Sequence, residues 1–271
     1  MSAVASPAAA LASGAIPVDL GVMPSTLAAP IGSRAAIGLV VLATDQTLEY
    51  EYRALIRMPG VAFYEARLFN DAEITPETLR AIGPRIAPCT ELIMPGLPLD
   101  VVAFGCTSAT MTLGEDHVFG EIRKARPGIA CTTPVTGALA AFATLNVGRI
   151  GLLTPYSPAI NANLARYFQS RDVGVAAYAT FDRPDDREAA LISVPSIEAA
   201  AEKLAEQPGV EAIFVSCTSL RVAEAVTRLE ARIGIPVTSS NHAMAWHGLR
   251  LAGVDDAMPE AGRLFERGIA G

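Results

Sequence analysis

Cysteine is the side chain in this sequence best suited to covalent or proton-transfer chemistry, and two of its four cysteines stand in the same setting. Val101–Thr112, VVAFGCTSATMT, is an apolar run of strand character that ends on Cys106 and continues into Thr107, Ser108 and an amphipathic segment. Ala212–Leu220, AIFVSCTSL, repeats the plan with Cys217, Thr218 and Ser219. A cysteine at the corner where a buried strand turns into a helix lies beside unpaired N–H groups and the positive end of the helix dipole. That field welcomes anions, so such a thiol is expected to ionise below its ordinary value of about 8.5 and to act as nucleophile or base. One such cysteine reads equally well as core followed by a cap. Two copies point to a duplicated half-domain, with equivalent strand ends facing each other and thiols on both walls of one cleft.

The elements around them alternate. Ala36–Leu42, AIGLVVL, reads as a buried parallel strand whose polar exit holds Thr44 and Asp45 and leads to a helix with Tyr50, Leu55 and Ile56. A strand over 61–69 and a helical region over 76–92, broken at Gly83-Pro84 and Pro88, precede the first cysteine strand. A helix to about Arg126, a strand at 129–132 and a helix at 134–145 follow it. The second half restarts with a strand at 149–153 that ends in Thr154-Pro155-Tyr156, then a helix opened by Ser157 and Asn161, a strand at 175–180 and a helix at 197–205. After the second cysteine, Pro236-Val237-Thr238 and the helix carrying Trp246, Leu249 and Leu251 mirror Pro134-Val135-Thr136 and its helix. The pattern predicts an α/β fold of two similar doubly wound lobes, with mainly parallel four-stranded sheets related by a pseudo-twofold axis and the active site between them. The expected division is an irregular N-terminal arm at 1–31, a first lobe at 32–145 and a second at 146–245, with about 246–271 packing back on the first.

Composition narrows the function. The net charge of −7 and isoelectric point near 5.1 argue against nucleic acid, and no apolar run is long enough for a membrane span. The first 31 residues contain no Lys or Arg and fit neither a secretory signal nor a transit peptide. With Cys89, Cys106, Cys131 and Cys217 showing no Cys-x-x-Cys spacing, free thiols in the cytoplasm are expected. His117, His242 and His247 make no metal-ligand pattern, and of these His242, after Ser240-Asn241, is the one placed to approach a site. Neither a dinucleotide fingerprint nor a P-loop motif is present.

Four stretches carry a resemblance: GCTSAT at 105–110, LLTPYSP at 152–158, VSCTSL at 215–220 and PVTSSNHAMAWHGLRLAG at 236–253. They resemble the maleate cis-trans isomerases, which belong with arylmalonate decarboxylase to the aspartate/glutamate racemase superfamily. The resemblance spans about Arg34–Gly253 and implies a cofactor-independent enzyme with no metal, acting on a small carboxylic acid, and a homo-oligomer, dimer or tetramer. Arylmalonate decarboxylase lacks the first cysteine, so Cys106 implies an isomerase or racemase. By motif, Cys106 would be nucleophile or base, Cys217 the opposing acid or base, and Tyr156 a donor to a substrate carboxylate, with Thr107, Ser108, Thr218 and Ser219 as further donors. Where maleate isomerases carry asparagine after the first strand, this chain has Asp45, and the second family asparagine falls near Asp186 or Arg187. An aspartate repels the carboxylate that an asparagine would hold. An acid bearing an amino group therefore fits better than maleate, as in the similar ectoine-utilisation proteins. An amino-acid racemase or epimerase, an arylmalonate decarboxylase-like enzyme and a non-catalytic acid-binding protein are the alternatives.

Overall fold

The computed structural model describes residues 18–71, 73–183 and 185–270. Met1–Pro30 forms one unit, whose described part, 18–30, has neither helix nor strand, and Ile31–Gly271 forms the other. The sequence-based arm falls partly on residues 1–17, outside the described residues.

In the larger unit, β1 (Ala35–Leu42), β2 (Val61–Leu68), β3 (Val101–Gly105) and β4 (Ala130–Thr132) form a parallel sheet in the order β2-β1-β3-β4. A second parallel sheet repeats that order with β5 (Arg149–Thr154), β6 (Gly174–Thr180), β7 (Ala212–Val215) and β8 (Val237–Ser239), as β6-β5-β7-β8. The central strands are apolar through their middles because helices cover both faces, and all five residues of β3 are buried. The two cysteine strands, β3 and β7, hold equivalent places beside β1 and β5.

The helices are α1 (Leu48–Leu55), α2 (Pro76–Arg80), α3 (Ile86–Glu91), α4 (Thr107–Leu113), α5 (Glu115–Ala125), α6 (Pro134–Leu145), α7 (Pro158–Gln169), α8 (Asp186–Ala189), α9 (Val194–Ala205), α10 (Val226–Ile233) and α11 (Ser240–Leu251). No helix among the described residues is long and apolar enough to cross a membrane. The helix expected to run from the first cysteine to Arg126 is two helices: Gly114, at φ +86°, adopts a conformation that L side chains rarely enter and ends α4.

The last helix of each half crosses to the opposite lobe. Phe142 of α6 meets Phe168 of α7 and Phe214 of β7 edge to face, with ring centroids 5.8 and 5.5 Å apart. Such aromatic pairs contribute roughly 0.5–1.5 kcal/mol beyond burial, so α6, expected within the first lobe, is a core element of the second. Conversely, α11 packs on β1, β3, β4 and α1, so the return to the first lobe starts at Ser240 rather than near 246. The two helices cross at Gly137, where a Cβ would stand 2.8–2.9 Å from the backbone of Ala243 and Met244; only glycine permits that approach. Thr133 caps α6 through Thr136 N, and Ser239 caps α11 through His242 N. The equivalent positions are therefore Thr133 and Ser239. The two Pro-Val-Thr triplets do not correspond, since one opens a helix and the other runs from the approach to β8 into that strand.

Candidate active site

Cys106 ends β3 and caps α4, its Sγ accepting the Ala109 N–H at 3.4 Å with the Ser108 hydroxyl 3.6 Å away. Cys217 follows β7 after one residue, but a turn follows it instead of the expected helix: 216–222 is neither helix nor strand. Its Sγ accepts the Ser219 N–H at 3.4 Å and shares the pocket wall with Tyr156. Both cysteines line one narrow pocket of about 20 Å³, together with Thr107, Ser108, Tyr156, Asp186 and Thr218. The first two N–H groups of α4, on Thr107 and Ser108, have no carbonyl of their own helix to bond and are available to an anion.

The thiols are not activated as the sequence led us to expect. Burial pushes Cys106 up to about 12, against the pull of the Ala109 N–H and the Ser108 hydroxyl, and the charges of Asp186 and Asp45 add to the rise. Burial raises Cys217 further, again aided by Asp186. Removing a thiolate from water and placing it near carboxylates outweighs one helix terminus. Burial likewise holds the Tyr156 phenol well above its ordinary value.

Of the two candidates near the second family asparagine, Asp186 is buried on the cavity wall, whereas Arg187 is exposed and paired with Asp185. Asp186 accepts the hydroxyls of Thr44 at 3.2 Å and Ser219 at 3.4 Å, which places Ser219 behind the wall rather than on it. Burial, and next the charge of Asp45, raise its pKa to about 6. Asp45 also stands outside the lining: its Oδ1 accepts the N–H groups of Thr47 at 2.7 Å and Leu48 at 2.8 Å, opening α1. Its Oδ2 is buried without a hydrogen-bond partner among the described residues.

One wall escaped the sequence reading. Asn70, Asp71, Glu73, Ile74, Thr78 and Leu79, from the exit of β2 through α2, line the cavity, and Asn70 Nδ2 donates to Thr44 Oγ1 at 2.9 Å. The rule that ligands bind at the carboxyl ends of parallel strands applies to β2 as well as to the cysteine strands. His242 is not part of the site. Its Nδ1 bonds Thr238 Oγ1 at 2.9 Å and its Nε2 lies 2.7 Å from the Ala261 carbonyl, with burial lowering its pKa to about 4. His247 bonds Thr132 Oγ1 at 2.8 Å through Nδ1.

Comparison with known proteins places the chain among enzymes of the same fold. The maleate isomerase of Nocardia farcinica is 28% identical over 244 residues, covering 86% of this chain and 96% of that one. The arylmalonate decarboxylase of Bordetella bronchiseptica is 32% identical over 148 residues, 51% of this chain and 59% of its own. The solved N. farcinica maleate cis-trans isomerase bound to TRIS superposes with a TM-score of 0.78 at 26% identity, covering 86% of this chain and 98% of that one. A cysteine-to-serine mutant of the same enzyme, with a covalently bound succinylcysteine intermediate, gives 0.77 at 26% identity over the same shares. The family model described as arylmalonate decarboxylase matches residues 58–265, which include both cysteines, Tyr156 and Asp186, and this chain therefore belongs to that family.

Proposed function

We propose that the protein is a cofactor-independent isomerase of small unsaturated carboxylic acids that works through two cysteines. The observation that carries this reading is the placement of Cys106 and Cys217 on the walls of one narrow pocket beside the free N–H groups of α4. A carboxylate bound at those N–H groups polarises an adjacent C=C bond. The sulfur of Cys106 bonds to one alkene carbon as its thiol proton passes to the Asp186 carboxylate on the same cavity wall, which returns it when the C–S bond breaks, and charge passes into the substrate carboxylate as an enediolate, which fixed donors stabilise. Cys217 delivers a proton to the neighbouring carbon, the bond between the two carbons is now single, and rotation follows. Cys217 then removes that proton and the C–S bond breaks, so the net S–H addition is undone and every atom returns. Free thiols suit a cytoplasmic location.

The charge of the site favours one class of acid. The described cavity lining contains no lysine, arginine or histidine, while Asp186, Asp71 and Glu73 line it and Asp45 lies close enough to shift Asp186. A dianion such as maleate meets repulsion there, whereas an acid with an ammonium or amide nitrogen gains acceptors.

The test is incubation of the pure protein in D₂O with maleate and with unsaturated acids that carry amino or amide groups, followed by NMR. Conversion of cis to trans acid, faster for the nitrogen-bearing substrates, is expected. Deuterium exchange at a saturated α-carbon with no change in any alkene would establish a racemase instead.

A further inference from the structure

The two cysteine segments are built differently. Cys106 leads straight into α4, whose hydrogen-bond ladder holds it, but the turn at 216–222 has no such ladder. Besides its own short bonds and the Ser219 hydroxyl on Asp186, it is held from the other lobe. Glu51 on α1 is only 1% exposed. Its Oε1 accepts the N–H groups of Val222 at 2.5 Å and Ala223 at 2.6 Å. Its Oε2 accepts Asn241 Nδ2 at 2.8 Å, and the same amide nitrogen donates to the Thr218 carbonyl at 2.8 Å. Ahead of α1, Thr47 Oγ1 donates to the Ser219 carbonyl at 2.8 Å. Both ends of the turn are thus tied to α1.

The chemistry of these bonds asks for a carboxylate. Three N–H donors converge on Glu51, so both of its oxygens must accept; a glutamine would set its NH₂ against that of Asn241. Rotating the Asn241 amide to meet it would turn its oxygen toward the Thr218 carbonyl. Among the described residues no cation pairs with Glu51; the charge bearing on it is another carboxylate, Asp45, and burial carries the Glu51 pKa up to about 7. An unpaired buried carboxylate is a costly way to close a core.

We infer that Glu51 is a positioning residue for Cys217: by tying down the turn after that cysteine from the opposite lobe, it sets where the second thiol stands relative to the first. Its effect on turnover rests on the isomerase reading; its effect on the thiol's accessibility does not.

The experiment compares wild type with Glu51→Gln by two readouts: alkylation with iodoacetamide at mildly alkaline pH, mapped by mass to each cysteine, and steady-state kinetics. Cys217 is expected to label about tenfold faster in the variant, as the turn opens locally, while Cys106 stays within about twofold. Turnover should fall about 10–100-fold in kcat with KM nearly unchanged, because misplacement by about 1 Å is enough for that loss. If Glu51→Gln does not fold, Thr47→Val, which removes only the bond to Ser219, should show the same selectivity to a smaller degree. Unchanged labelling of Cys217, or an equal rise at all four cysteines, would reduce Glu51 to a general clamp and overturn the inference. Selective labelling of Cys217 in a protein that isomerises no unsaturated acid would uphold the positioning role and sink the isomerase reading.

Discussion

Replacing Asp186 by asparagine should stabilise this protein at alkaline pH and not at acid pH. The carboxyl of Asp186 titrates near 6 in the folded chain against 3.8 for the ordinary group, because burial and the charge of Asp45 oppose its ionisation. Below 3.8 the group is protonated in both states and carries no penalty. As pH rises from 3.8 to 6 the unfolded chain ionises first, so stability is lost over that window, and above 6 the full penalty is present. At about 1.36 kcal/mol per pH unit it amounts to about 3 kcal/mol, an upper figure for a group in contact with two hydroxyls. An asparagine side chain is nearly isosteric, but its NH₂ replaces one acceptor, so the Thr44 or Ser219 hydroxyl must turn to accept instead of donate, at a cost of about 1 kcal/mol. The net expectation is a variant about 2 kcal/mol more stable than wild type at pH 8 and about 0.5 kcal/mol less stable at pH 4, read from urea unfolding at both values. With a dianionic acid as substrate, KM should also fall. A variant no more stable than wild type at pH 8 would show that Asp186 is not the strained carboxylate described.

Three further outcomes follow. Asp45→Asn should leave stability within about 1 kcal/mol, because asparagine caps α1 as well as aspartate does, whereas Asp45→Ala should lose about 1–2 kcal/mol in thermal or urea unfolding. Gly137→Ala should cost about 1–3 kcal/mol by forcing α6 and α11 apart, with the lowered midpoint visible by circular dichroism. In the native protein, iodoacetamide labelling of Cys106 at pH 7 should be no faster than that of Cys89 or Cys131, whose pKa values burial raises to about 11, and its rate should climb steadily with pH without a neutral plateau.

Local signals made much of the fold legible. The apolar runs of β1, β3, β5 and β7 announce buried parallel strands, and α6 spans the expected 134–145 because Pro134 and the Thr133 cap open it and left-handed Asn146 closes it. The pairing of Cys106 with Cys217 across a cavity was readable because duplicated strand ends meet under pseudo-twofold symmetry. What stayed hidden depends on distance in space. The exchange of α6 and α11 between lobes turns on Phe142 and Gly137 meeting partners far along the chain. The thiols' raised pKa values follow from burial and from Asp45 and Asp186, whose proximity to the thiols no spacing encodes. Asp45 looked like a cavity residue because it follows β1, yet two backbone N–H groups claim its Oδ1. Its role toward substrate falls to Asp186.

The central claim is that Cys106 adds to the substrate while Cys217 handles the proton. Its most direct measurement is the intact mass, followed by peptide mapping, of the Cys217→Ser and Cys106→Ser variants after incubation with an unsaturated acid that the wild type isomerises. Cys217→Ser should gain the mass of one acid, placed on the peptide containing Cys106, and Cys106→Ser should gain none. An adduct on Cys217, or on Cys89 or Cys131, or full activity in the Cys106→Ser variant, would contradict it.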